Sequence, residues 1–192
     1  MRKNLVFFLF IILISCFTNS YAQESKASIK FIRWFFKDKG SILYTNRIFS
    51  GGAAALKKDI LKDTLKNLKY DNENKINFLV FTDKEKRRLN RDIMKIDSKF
   101  RSKNILPGST LIDRDTIDNI LGDRGFGWPK FNERYGNVFY SFSKPIFIRK
   151  KTICIFYSDY SCQDTCGSGE LAVYKWINNE WVKWLIIDHW VS

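Results

Sequence analysis

The chain has 192 residues, with 33 Lys or Arg against 20 Asp or Glu for a formal charge of +13, and it is 45% hydrophobic and 16% aromatic. That hydrophobic share excludes a disordered or low-complexity chain, and the length fits one domain better than a string of several. Of the four cysteines, Cys154, Cys162 and Cys166 lie beyond residue 22, an odd count that allows at most one bridge among them.

Arg2 and Lys3 precede an unbroken apolar run over residues 5–14, and Ser20 and Ala22 set small side chains at the -3 and -1 positions of a cleavage site. The pattern reads as an export signal over residues 1–22, leaving residues 23–192 as a single domain. The apolar run is well short of the ~20 residues that cross a bilayer, so no transmembrane segment is expected in the processed chain. Leu13-Ile14-Ser15-Cys16 resembles the lipobox of bacterial lipoproteins, which gives the alternative of a lipid anchor through Cys16. The polar segment Thr18-Asn19-Ser20-Tyr21-Ala22 has the form of an ordinary c-region and favours a soluble periplasmic or secreted protein. Loss of Arg2 and Lys3 lowers the basic count from 33 to 31 against 20 acids, so the processed chain carries +11. The charge is spread along the chain, which suits solubility and leaves an anionic envelope polymer, a lipid headgroup or a protein as possible partners. Nucleic acid is not expected, because an exported chain seldom meets it.

Lys26, Lys30, Arg33 and Lys37 recur at steps of four, three and four between apolar residues, so a first helix is expected from Lys26 with Gly40 as its stop. After Gly51-Gly52 a second helix is read through Leu56, Ile60, Leu61, Leu65 and Leu68. Residues 71–75 form a polar turn, and residues 76–81 read either as a short strand or as an apolar lead-in. Thr82-Asp83-Lys84-Glu85 is a capping box, and the helix that it starts should run to about Phe100 with Leu89, Ile93, Ile96 and Phe100 inward. Its opposite side is a basic stripe of Lys84, Arg88, Arg91, Lys95 and Lys99, the candidate binding surface by charge, although exposed helical faces commonly look this way. Pro107-Gly108 breaks the chain, and Ser109 or Asp113 caps a short helix that ends at Gly122.

Glycines at 122, 125, 127 and 136 with Pro129 predict an irregular segment. Within it Phe126 and Trp128 offer rings able to stack on a sugar or anchor a protein, unless they fold back over the core. Five strands follow, at residues 138–142, 145–149, 152–158, 171–177 and 181–187. Lys150-Lys151 and Asn178-Asn179 are tight-turn candidates. The expected fold is therefore α+β, with N-terminal helices packed on a C-terminal antiparallel β-meander of about five strands. Ser141-Phe142-Ser143-Lys144-Pro145-Ile146-Phe147, then Ile155-Phe156-Tyr157-Ser158 and the cysteine-glycine loop, resemble small exported proteins of Gram-negative bacteria that carry no assigned activity. The resemblance implies a shared sheet in the C-terminal third and no chemistry.

Cys162 and Cys166 flank a turn and are the expected disulfide, while Cys154 sits in an apolar run as a small buried residue, a bridge from Cys154 to either loop cysteine being the alternative. A zinc site from Cys154, Cys162, Cys166 and His189 has the ligand count but not the usual spacing. Asp113, Asp115 and Asp118 depart from a calcium loop and suit helix capping better. No metal and no cofactor is expected. His189 is the only histidine, and the G-x-S-x-G elbow fails at Ser168 because Cys166 stands where a glycine is required. The residues thus favour a binding or interaction module over an enzyme, with a small hydrolase using His189 with Ser168 or a cysteine as the alternative.

Overall fold

A computed structural model describes residues 25–68, 77–94, 105–123, 126–163 and 166–192. Residues 1–22, read as an export signal, the turn expected at 71–75 and the stripe residues Lys95 and Lys99 lie outside the described residues, as do Ile96 and Phe100. In chain order the elements are α1 (Lys26–Phe35), β1 (Leu43–Thr45), α2 (Ser50–Ile60), β2 (Thr64–Lys66), β3 (Phe78–Val80), α3 (Asp83–Ile93), β4 (Thr110–Ile112), α4 (Arg114–Leu121) and α5 (Gly127–Tyr135). Then follow β5 (Val138–Phe142), β6 (Ile146–Ile148), β7 (Ile153–Cys162), β8 (Ser168–Ile177) and β9 (Glu180–Val191).

The fold mixes helices with a sheet, as expected, but the five-strand meander is corrected to a seven-stranded mixed sheet in the order β4-β1-β5-β7-β8-β9, with β6 as the seventh strand paired to β7. β1 pairs in parallel with β4 and with β5, and the remaining ladders are antiparallel. β5 and β6 are not successive meander strands. They lie end to end along the same edge of β7, with Phe142 opposite Ser158 and Ile146 opposite Ile155, so three residues face two. At this bulge the Ser143 hydroxyl accepts from the Tyr157 amide at 3.0 Å, replacing a ladder carbonyl, and Pro145 needs no partner for an N–H that it lacks.

Parallel strands need a crossover, and the segment carrying α4 and α5 provides one between β4 and β5. The predicted helix through Leu65 and Leu68 stops at Ile60. Beyond it Leu65 is buried on β2, which pairs antiparallel with β3 as a separate ribbon. The ribbon is tied to the rim of the sheet, where Leu68 N–H donates to Ile186 O at 2.8 Å and Asn67 Oδ1 accepts from Ile186 N–H at 2.8 Å. The segment read as irregular contains α5: Pro129 is tolerated in a first turn whose N–H groups have no intrahelical acceptor. Gly127 is required there, because a Cβ would come within 2.8 Å of the Leu121 backbone.

Side chains alternate along β7 and place helices on both faces of the sheet. Ile153, Ile155 and Tyr157 pack with α2, α3 and the ribbon, while Cys154 and Phe156 pack with α1. α4 and α5 cover the near end of the first of these faces through Ile117, Phe131 and Phe139. Local signals hold where the chain supplies its own caps: Ser25 caps α1, and both halves of the Thr82/Glu85 capping box form. Asn178 and Asn179 make the β8–β9 turn with φ of 50° and 64°.

Candidate functional site

Asn46, just past β1, joins two elements distant in sequence. Its Oδ1 accepts from the Arg114 amide at 3.1 Å and its Nδ2 donates to Asp113 at 2.8 Å. Asp113 in turn caps α4 by accepting from the Asp115 amide, and Arg47 pairs with Asp115. These acids are engaged in fixing the start of α4, in agreement with the capping reading. Their effect is to hold Arg114, the first residue of α4, with only 9% of its surface exposed. Its Nε donates to Asp118 Oδ1 at 2.7 Å, and its guanidinium lies 5.2 Å from the Phe49 ring and 5.8 Å from the Phe139 ring. The planar, weakly hydrated guanidinium tolerates such ring contacts better than an ammonium would.

Across from Arg114 stands Asp159, 6% exposed on β7. The Ser141 hydroxyl of β5 donates to its carboxylate, and the Tyr157 hydroxyl meets it as well. Burial lifts the Asp159 carboxyl above the ordinary aspartate range, while the Ser141 and Tyr157 hydrogen bonds and the Arg114 charge pull partly against that rise. Tyr157 accepts from Trp190 Nε1 at 3.0 Å, and its phenol is strongly raised, first by burial and then by the charge of Asp159. The result is a chain of polar contacts from Trp190 through Tyr157 and Asp159 to Ser141.

A cavity of about 480 Å³ opens beside this chain. Arg114, Asp159, Asp188 and Ser161 supply its polar groups, while Trp128, Tyr157, Trp190 and Phe49 stand among its rings. Two devices orient the β9 contribution. β9 carries a bulge at Ile187, because Ala172 faces Ile186 whereas Leu171 faces Asp188. One extra residue reverses the alternation that follows, so Asp188 and Trp190 join Tyr157 on the cavity side, and His189 is set on the other. Gly169 then lets the Trp190 indole lie on the β8 backbone, since a Cβ there would meet Trp190 Nε1 at 2.2 Å.

Of the sequence candidates, Trp128 lines the cavity, stacked at 22° on Phe139 with centroids 6.0 Å apart, whereas Phe126 is 64% exposed outside it. Lys84, Arg88 and Arg91 are exposed on α3 as the wheel predicted. α3 meets β6 and, through the Glu85–Arg149 pair at 3.1 Å, the β6–β7 turn, at the opposite end of the sheet from the cavity. The stripe and the aromatic cavity therefore lie at opposite ends of the sheet. Cys162 and Cys166 are joined in a disulfide, and Cys154 is buried with burial lifting its thiol well above the ordinary range. Cys154 and Cys162 are eight positions apart on one strand, about 26 Å at ~3.3 Å per residue, so they cannot share a metal.

Ser168 and His189 come together on neighbouring strands, with Oγ 3.4 Å from Nε2, on the face away from the cavity. Both line a pocket of about 220 Å³ with Tyr140 and the paired Glu170 and Lys183. The sequence reading missed Arg114, Asp159, Asp188, Tyr157 and Trp190. The expected strand stopped at Ser158, whereas β7 runs on to Cys162, so Asp159 in the run Ser158-Asp159-Tyr160-Ser161 carried no local sign of burial. No helix among the described residues is long and apolar enough to cross a membrane. The chain matches no known protein family, curated protein or solved structure.

Proposed function

We propose that the protein is an exported binding module of the bacterial envelope, and that its ligand seats in the cavity between β7, β9 and α4. The observation that carries this reading is the pair of buried charged side chains, Arg114 and Asp159, held by dedicated hydrogen bonds at the edge of an aromatic-walled cavity. Burying charge is costly, and a fold that needed only stability would fill this space with apolar groups. Export is supported by the leader and by the Cys162–Cys166 disulfide, which suits an oxidising compartment.

The test separates the cavity from the basic stripe. Purified protein is bound to isolated envelope material and washed at about 1 M salt, where the screening length is ~3 Å. Wild type and an Arg88→Glu/Arg91→Glu/Lys95→Glu variant are expected to stay bound, and a Trp128→Ala/Trp190→Ala variant to wash off. Release of wild type by the salt wash, with binding at low salt that the charge variant lacks, makes the stripe the binding surface. Mass spectrometry of the N-terminus tests export: a chain starting at Gln23 supports the soluble form, and a diacylglyceryl Cys16 replaces it with the lipid anchor.

A second reading, a small hydrolase, is favoured by the Ser168–His189 contact at 3.4 Å. Hydrolysis of p-nitrophenyl acetate that disappears in both Ser168→Ala and His189→Ala, with unfolding midpoints unchanged, would establish it.

A further inference from the structure

We infer that the cavity recognises one neutral sugar ring, an inference that rests on the binding reading above. The argument starts from charge. The lining carries two carboxylates, Asp159 and Asp188, and one guanidinium, Arg114. A phosphate or carboxylate ligand would be brought against both acids, and an ammonium ligand against a guanidinium already fixed by Asp118 and two rings. A neutral ligand bearing hydroxyls avoids both repulsions. Each hydroxyl donates and accepts, so it can meet the carboxylate of Asp188, the guanidinium of Arg114 and the hydroxyl of Ser161 with one functional group.

The rings decide what lies between the hydroxyls. A sugar ring presents apolar C–H faces, and the negative faces of Trp128 and Trp190 are platforms for them. Both platforms are held before any ligand arrives: Trp190 by its hydrogen bond to Tyr157 and its bed on Gly169, Trp128 by stacking on Phe139. Held rings lose little freedom on binding, which favours a ligand that contributes few strong contacts of its own. About 480 Å³ falls within the ordinary range for small-molecule sites of about 300–1,000 Å³.

The experiment titrates the full purified protein with three probe classes, read by tryptophan fluorescence and by saturation-transfer NMR. Methyl β-glucoside and N-acetylglucosamine represent neutral sugars, phenyl phosphate an aromatic anion, and benzyltrimethylammonium an aromatic cation. The expected result is saturable binding of a neutral sugar, weakened about tenfold or more by Asp188→Asn and by Gly169→Ala, and unchanged by Arg88→Glu. Trp190→Phe, which keeps a ring on Gly169, serves if Gly169→Ala fails to fold, and should weaken binding while leaving the circular dichroism intact. Binding of only the anion or only the cation overturns the sugar assignment and leaves the cavity as a binding site. No response to any probe overturns the sugar assignment and counts against the cavity reading as well.

Discussion

Under α1, Phe31 meets Phe147, Phe156, Tyr174 and Trp181 edge-on, with ring centroids 5.1 to 6.1 Å apart. Under α4 the rings of Trp128, Tyr157 and Trp190 line a cavity together with Arg114, Asp159 and Asp188 instead. Both regions use the same residue types against the same sheet. In the first, flat rings fill space against one another and no polar atom has to be satisfied beyond the ring hydroxyls and indole nitrogens. In the second, each charge fixes the direction of its neighbours through hydrogen bonds, and groups oriented for bonding do not also close the space around them. Buried charge, not aromatic content, separates a sealed core from a cavity.

The largest effect that tests this contrast is on stability. Phe31→Ala should cost about 3–5 kcal/mol in urea unfolding, as for a fully buried ring, whereas Trp128→Ala, half-buried at the cavity wall, should cost about 1–2 kcal/mol. Equal costs would break the comparison. Next in size, Cys162→Ser should lose about 2 kcal/mol, the chain-entropy value for so short a ring, and reductant should bring wild type to the same midpoint.

Acid sharpens the comparison further, because the two ends of the sheet should respond with opposite sign. Burial would raise Glu85, but the Thr82 amide and Arg149 outweigh it, so its carboxyl is lowered. Its stabilisation is present above the unfolded value of about 4.3 and is lost as pH falls through the lower folded value. Asp159 is raised, so its contribution declines as pH climbs from the unfolded value of about 3.9 to the higher folded value, and is level above it. Glu85→Gln should therefore cost about 0.5–1 kcal/mol at neutral pH and nothing in strong acid. Asp159→Asn, followed over the same pH range, should remove a slope of the other sign. The smallest effect expected is that of Arg88→Glu with Arg91→Glu, within about 0.5 kcal/mol, since neither side chain is buried.

Part of this was legible beforehand. β5 occupies the residues predicted for it, the capping box forms, and the asparagine turn and the short-loop disulfide stand where their residues placed them. β1 and β4 were missed because three residues carry no measurable period, and they become strands only when β5 supplies a parallel edge. Arg114 was passed over among the capping acids, since nothing local says that Asn46, 68 positions earlier, would receive its amide. His189 drew notice as the only histidine, yet the bulge at Ile187 turns it away and presents Asp188 and Trp190 to the cavity.

Sequence alone therefore determined what depends on neighbours a few positions away: the helix starts that carry a side-chain cap, tight turns, a small disulfide ring and the alternation of long strands. Tertiary structure decided which face each strand residue meets beyond a bulge, which charges are buried, and where a cavity is left. The physical reason is range. Capping and turn energies act over a single turn of chain, whereas burial and register are set by partners brought together only when the sheet closes.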